Sequence, residues 1–103
     1  MSILAIEADS VLARAVSVTD ERLTVELADG RTLSVPLAWY PRLLHGSRAE
    51  RENWELIGDG EGIHWPDLDE DISVAGLLDG TPSQESPGSL RDWLQRRKTR
   101  PQR

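Results

Sequence analysis

The segment "GEGIHWPDLDEDISV", residues 60–74, holds most of the side chains in this sequence that could do chemistry. His64 and Trp65 lead into Asp67, Asp69, Glu70 and Asp71, four carboxylates within five residues. Hard divalent ions take oxygen ligands, and a neighbouring histidine can serve as ligand or general base. That is the equipment of a metal-dependent hydrolase. The alternate spacing of Asp67, Asp69 and Asp71 also matches the opening of a calcium loop, which then needs Gly at its sixth position and Glu at its twelfth. Ile72 and Leu78 stand there instead, so that pattern fails. The plainer reading is a solvated turn whose acids favour the N-terminus of a helix starting near Ser73, and it is preferred here.

Other motifs are weaker. "GDGEG", residues 58–62, resembles a phosphate-binding glycine loop, but the dinucleotide pattern needs glycine where Ile63 stands. Asp59 and Glu61 would repel phosphate, so a hairpin connection fits better. His45 and His64 are the only histidines, and no serine sits in a nucleophile-elbow sequence beside either. Trp39-Tyr40-Pro41-Arg42 combines the residue types favoured at interface hot spots. The competing role for Trp39 is closing the core of a chain that has four Trp, one Tyr and no Phe.

These residues are carried by a chain of 103, enough for one domain with a modest core. With no cysteine, disulfides, thiolate metal sites and cysteine nucleophiles are excluded. "MSILAIEAD" lacks the basic start and unbroken apolar run of a signal peptide, and no stretch approaches membrane-spanning length. A cytoplasmic location is expected. Net charge is −6, unevenly spread: residues 1–90 hold 17 acids against 6 bases, whereas residues 91–103 hold 6 bases against 1 acid. The body should repel nucleic acid, while the basic tail offers contacts to phosphate, a partner or the body itself.

The elements follow from periodicity. Apolar alternation over Ala13–Val18, over Arg22–Ala28 and again at Leu33 and Val35 predicts three strands. They are joined by a turn at Thr19-Asp20-Glu21 and by a tight one at Asp29-Gly30, so an antiparallel meander is expected. Pro41 opens a short helix to Leu44 with Gly46 as its stop. Ser47 and Glu50 form a capping box for a second helix. Trp54–Ile57 and Ile63–Trp65 read as a second short hairpin around a flexible glycine connection. Ser73 and Gly80 bound a further helix, and Ser89 with Asp92 opens a last one. The expected fold class is α+β, a small antiparallel sheet packed by short helices with a C-terminal helix. The expected divisions are a compact domain over 1–80, a linker over 81–88, and a helix with a frayed basic tail over 89–103.

"LADGRTLSVPLAWYPRLL", "ERENWELIGDGEGIHWPDLDEDISVAGLL" and "SLRDWL" together resemble the longer members of the bacterial family catalogued as domain of unknown function 2442, over nearly the whole chain. The resemblance implies a small α+β fold and brings no activity or catalytic residues. Members are often encoded beside small proteins of another family, domain of unknown function 4160, an arrangement similar to a toxin–antitoxin pair. Some relatives continue into a helix-turn-helix segment, for which the residues after Leu78 leave too little room.

The expectation is therefore a non-enzymatic, antitoxin-like interaction domain without cofactor. Its expected partner is a basic protein, to be sought in the neighbouring gene's product, with homodimerisation favoured by unpaired sheet edges. The expected contact residues are Trp39, Tyr40, Arg42, His64, Trp65, Asp67, Asp69, Glu70 and Asp71, with the four acids outward and ionised. The rivals are the metal-dependent hydrolase using His64 and Asp67–Asp71, and a nucleic-acid accessory protein using the tail.

Overall fold

Leu23, Val25 and Leu27 alternate with Thr24 and Glu26, so one face of this segment is apolar. In the computed structural model, which describes residues 11–99, that face is buried and the segment is the middle strand of a three-stranded meander. The strands are β1 (Ala13–Val18), β2 (Arg22–Leu27) and β3 (Thr32–Pro36), paired antiparallel with Val16 opposite Val25 and Val25 opposite Leu33. Thr19 Oγ1 accepts from the Glu21 and Arg22 amides and fixes the first turn. At the second turn only Gly30 takes a positive φ, of 95°, so Asp29 stays in the ordinary region and caps the Arg31 amide. Residues 1–10 and 100–103, and with them the readings of "MSILAIEAD" and of the end of the basic tail, lie outside the described residues.

A 3₁₀ turn over Leu37–Trp39 leads into α1 (Pro41–Leu44) and then α2 (Arg48–Glu52), whose capping box from Ser47 and Glu50 forms in full. Gly46 is not a left-handed cap. A Cβ there would meet the Leu68 methyls at 2.8 and 3.0 Å, so the glycine leaves room for Leu68 to reach the core.

The second sheet has three strands where a hairpin was expected: β4 (Glu55–Ile57), β5 (Gly62–Trp65) and β6 (Glu70–Ser73), all antiparallel. The glycine connection between β4 and β5 is not flexible in kind. Gly60 lies against β1, its carbonyl accepting the Ala13 amide at 2.8 Å. β6 runs into α3 (Val74–Asp79), N-capped by Ser73 and ended by Gly80 at φ 74°. The last helix, α4 (Pro87–Thr99), starts two residues before Ser89, because Ser86 Oγ accepts the Ser89 amide and Pro87 suits the first helical position.

One core joins all of this. Leu23, Leu37, Leu43, Ile63, Trp65, Leu68 and Val74 share a buried cluster with Trp93 of α4. The C-terminal helix is therefore packed on the body through its aromatic residue. No helix among the described residues is long and apolar enough to cross a membrane.

Candidate functional site

The acidic run is the end of the β5–β6 hairpin. Pro66–Asp69 form its loop, Leu68 points into the core, and Asp69 adopts φ 52°, a left-handed conformation that Asp tolerates better than most side chains. From there strand alternation takes over. Glu70 pairs with Trp65, Asp71 with His64 and Ile72 with Ile63. Asp71 and Ser73 are exposed, whereas Ile72 is buried and Glu70 half-buried.

Three of the four acids thus face water, as expected. Asp67 is exposed and accepts from Asn53 Nδ2 at 3.0 Å, and the Asp69 side chain is 85% exposed. Asp71 accepts a short hydrogen bond from His64 Nδ1, which raises the histidine's pKa. Glu70 departs from the expectation of an outward, ionised carboxylate. Burial pushes its pKa up to about 7, with Glu85 and Asp71 adding to the rise and Arg42 opposing it. Desolvation disfavours the charged form, and here it outweighs the nearby cation.

Arg42, expected at a partner surface, is instead an internal hub. Its side chain is 12% exposed. Nε and Nη2 donate to the two Glu85 oxygens at 2.6 and 2.9 Å, Nη1 donates to the Asp69 carbonyl at 3.1 Å, and the guanidinium lies 5.0 Å from the Trp93 ring. The pairing with Arg42 holds the Glu85 carboxyl below its ordinary range. A second clamp lies farther along α4: Arg97 is 4.7 Å from the same ring and donates to both Glu50 oxygens at 2.8 and 3.1 Å. The carboxyl of Glu50 is lowered chiefly by that pairing. Of the contacts open to the basic residues after Leu90 (phosphate, a partner or the body), Arg97 makes the one to the body.

The aromatic centre expected at the surface is divided. Trp65 is fully buried, with its indole N–H donated to the Arg51 carbonyl at 2.9 Å. Tyr40 is buried too and donates its hydroxyl to the Thr81 carbonyl at 3.3 Å. A chain without Phe needs both rings to fill its core, so neither forms an exposed aromatic centre. Trp39 and His64 remain partly exposed.

Between β6 and residues 81–85 lies an open cleft of about 560 Å³. Tyr40, Arg42, Glu70 and Glu85 form part of its wall, and Asp69 and Asp71 stand at it as well. Its carboxylates outnumber its single guanidinium, which is already paired, so the cleft suits a cationic group. No three His, Asp or Glu side chains among the described residues converge on a position that could hold a metal ion. The residues missed from sequence are Glu85, Thr81 and Ser83. The signal available was Glu85, the sole charge in the otherwise uncharged stretch 80–90.

Two solved structures share the fold. One, a protein of unknown function from Rhodospirillum rubrum ATCC 11170, is 28% identical with a TM-score of 0.64, covering 75% of this chain and 95% of its own. The other, the uncharacterized protein CV0863 from Chromobacterium violaceum, is 20% identical with a TM-score of 0.64, covering 86% and 82% respectively. At that identity the second likeness concerns the fold alone. A search of curated proteins gave no match. Residues 13–83, from the first strand to the cleft wall, match the family model described as "Protein of unknown function (DUF2442)", and the chain belongs to that family.

Proposed function

We propose that the domain is a non-enzymatic, antitoxin-like interaction module that captures a basic protein through its acidic cleft and the carboxylates beside it. The observation behind this reading is the cleft itself, where Asp69, Glu70, Asp71 and Glu85 meet a single guanidinium whose bonds go to Glu85 and Asp69, leaving the cleft with an excess of carboxylates. Asp67, Asp69 and Asp71 extend the negative surface around it, and the partly exposed Trp39 and His64 supply contact area. Such a surface speeds encounter with a cationic partner, and the half-enclosed cleft favours one inserted Lys or Arg side chain.

The test is association with the product of the neighbouring gene. Calorimetry with purified proteins should give a dissociation constant in the micromolar range or tighter. The Asp69→Lys, Asp71→Lys double variant should slow association roughly tenfold at low salt. No association at micromolar concentration, or an unchanged rate in the double variant, would remove this reading.

A further inference from the structure

Among the contacts that hold the segment 81–99 are the following five, and one side chain of the body, Arg42, takes part in two of them. Ser83 N donates to the Trp39 carbonyl at 3.0 Å, and Thr81 accepts from the Tyr40 hydroxyl. Arg42 grips Glu85 with two hydrogen bonds and lies against Trp93, and Arg97 returns to Glu50. Ser89 Oγ donates to Glu85 Oε2 as well, so the carboxylate that Arg42 holds also ties down the first turn of α4.

Glu70 sits half-buried in the cleft beneath this segment. The charged and titratable groups around it come from each element packed there. Arg42 and Tyr40 face it from α1 and the residue before it, Glu85 from the segment itself, and Asp69 and Asp71 from its own hairpin. One cation therefore serves Glu85, Asp69 and Glu70, and its hydrogen bonds go to the first two.

We propose that residues 81–99 form a strap whose seat on the body is gated by the proton on Glu70. With Glu70 neutral, Arg42 is free to hold Glu85 and the strap is closed. Ionised Glu70 draws on Arg42, repels Glu85 across the cleft and asks for water that the closed strap restricts. Coupling between two events is reciprocal: if closing the strap favours the proton, losing the proton favours the open strap. The near-neutral titration of Glu70 puts this exchange in an accessible pH range. Once unseated, a helix of 13 residues has little stability of its own in water. Release of the strap therefore reads out as melting of α4. The inference concerns the free chain and stands whether or not a basic partner is found.

Amide hydrogen exchange by NMR, corrected for the intrinsic pH dependence, tests it on the full chain. Protection of amides 90–98 relative to those of β2 should fall on the order of tenfold between pH 5.5 and pH 8, the effect of about one unit of differential proton affinity. In Glu70→Gln the fall should disappear, with α4 protected at both values. Glu85→Gln, which weakens the grip of Arg42, should lower protection of α4 already at pH 5.5 while leaving β2 unchanged. Equal protection at the two pH values in the wild type overturns the proposal. So does an undiminished fall in Glu70→Gln, or an Glu85→Gln variant indistinguishable from wild type.

Discussion

Replacing Arg51 by Met should cost about 2–3 kcal/mol, although its ionic partner among the described residues, Asp20, is almost wholly exposed. Arg51 is 8% exposed, the one charged residue among the buried ones within the described residues. Nε donates to the Leu43 carbonyl and Nη2 to the Leu44 carbonyl, both at 2.9 Å, so the guanidinium closes the C-terminus of α1. Nη1 reaches Asp20 at 2.7 Å, but that carboxylate is 95% exposed and contributes on the order of 0–1 kcal/mol. Bonds from a charged donor are worth about 1.5–3 kcal/mol each. Two of them would total about 3–6, reduced because burying the guanidinium is itself unfavourable. The Leu43 carbonyl also keeps the Gly46 amide at 3.1 Å, which lowers the loss further. Methionine preserves the apolar stem, so the change isolates the bonds from the packing. Thermal unfolding followed by tryptophan emission should show a drop in Tm of roughly 10–15 °C. Trp65 reports directly, since its indole N–H is bonded to the Arg51 carbonyl. Arg51→Lys should fall between the two, one ammonium being unable to reproduce the fork across both carbonyls. A neutral or stabilising Arg51→Met would refute the reasoning, and so would an Asp20→Asn variant as damaging as Arg51→Met.

Glu70→Gln should stabilise the protein by about 1–2 kcal/mol at pH 8, from a shift worth about 1.4 kcal/mol per unit discounted for the part of the side chain still in water. The folded-state pKa of about 7 lies above the ordinary carboxylate value, so the wild type should lose stability as pH rises from about 4.5 to about 7 and then level off. Urea melts at pH 5 and pH 8 should show that loss in the wild type and a smaller one in the variant. His64 should titrate above the usual histidine range in proton-detected NMR and return toward it in Asp71→Asn, because the Asp71 hydrogen bond is the largest cause of its shift. Its contribution is complete below the ordinary histidine value and is lost as pH rises through the folded one. Trp93→Ala should cost about 3–5 kcal/mol, since the ring is 5% exposed and also receives Arg42 and Arg97, and denaturant melts should place it close to global unfolding.

The first sheet was readable because its signals are local. Alternation at Leu23, Val25 and Leu27, the Asp29-Gly30 turn, the Ser47–Glu50 box and Pro41 each act within a few residues, and each appears where expected. β6 was not readable: Glu70, Asp71 and Ser73 surround one apolar residue, so charge masks the period of two. Only the helix capped by Ser73 is legible there, and no strand is expected before it. The site was legible in its acids and not in its arrangement. Arg42 meets Glu85 across 43 residues and Asp69 across 27, pairings that no local pattern announces. The aromatics misled for a physical reason, since hot-spot composition and core composition coincide in a chain so poor in large apolar rings. Tyr40 and Trp65 went inside.

The turn between β4 and β5, with two glycines and two acids, looks like the natural place to splice in an epitope or reporter. The seam at Gly60 argues the reverse. Its φ is 115°, and a Cβ there would lie 2.4 Å from the Ala13 carbonyl oxygen, so any larger residue or added length would prise the sheets apart. The turn at Gly30 has nothing within 4 Å of the same position. Cargo grafted onto this scaffold belongs there, where the chain doubles back into open solvent and touches no second layer.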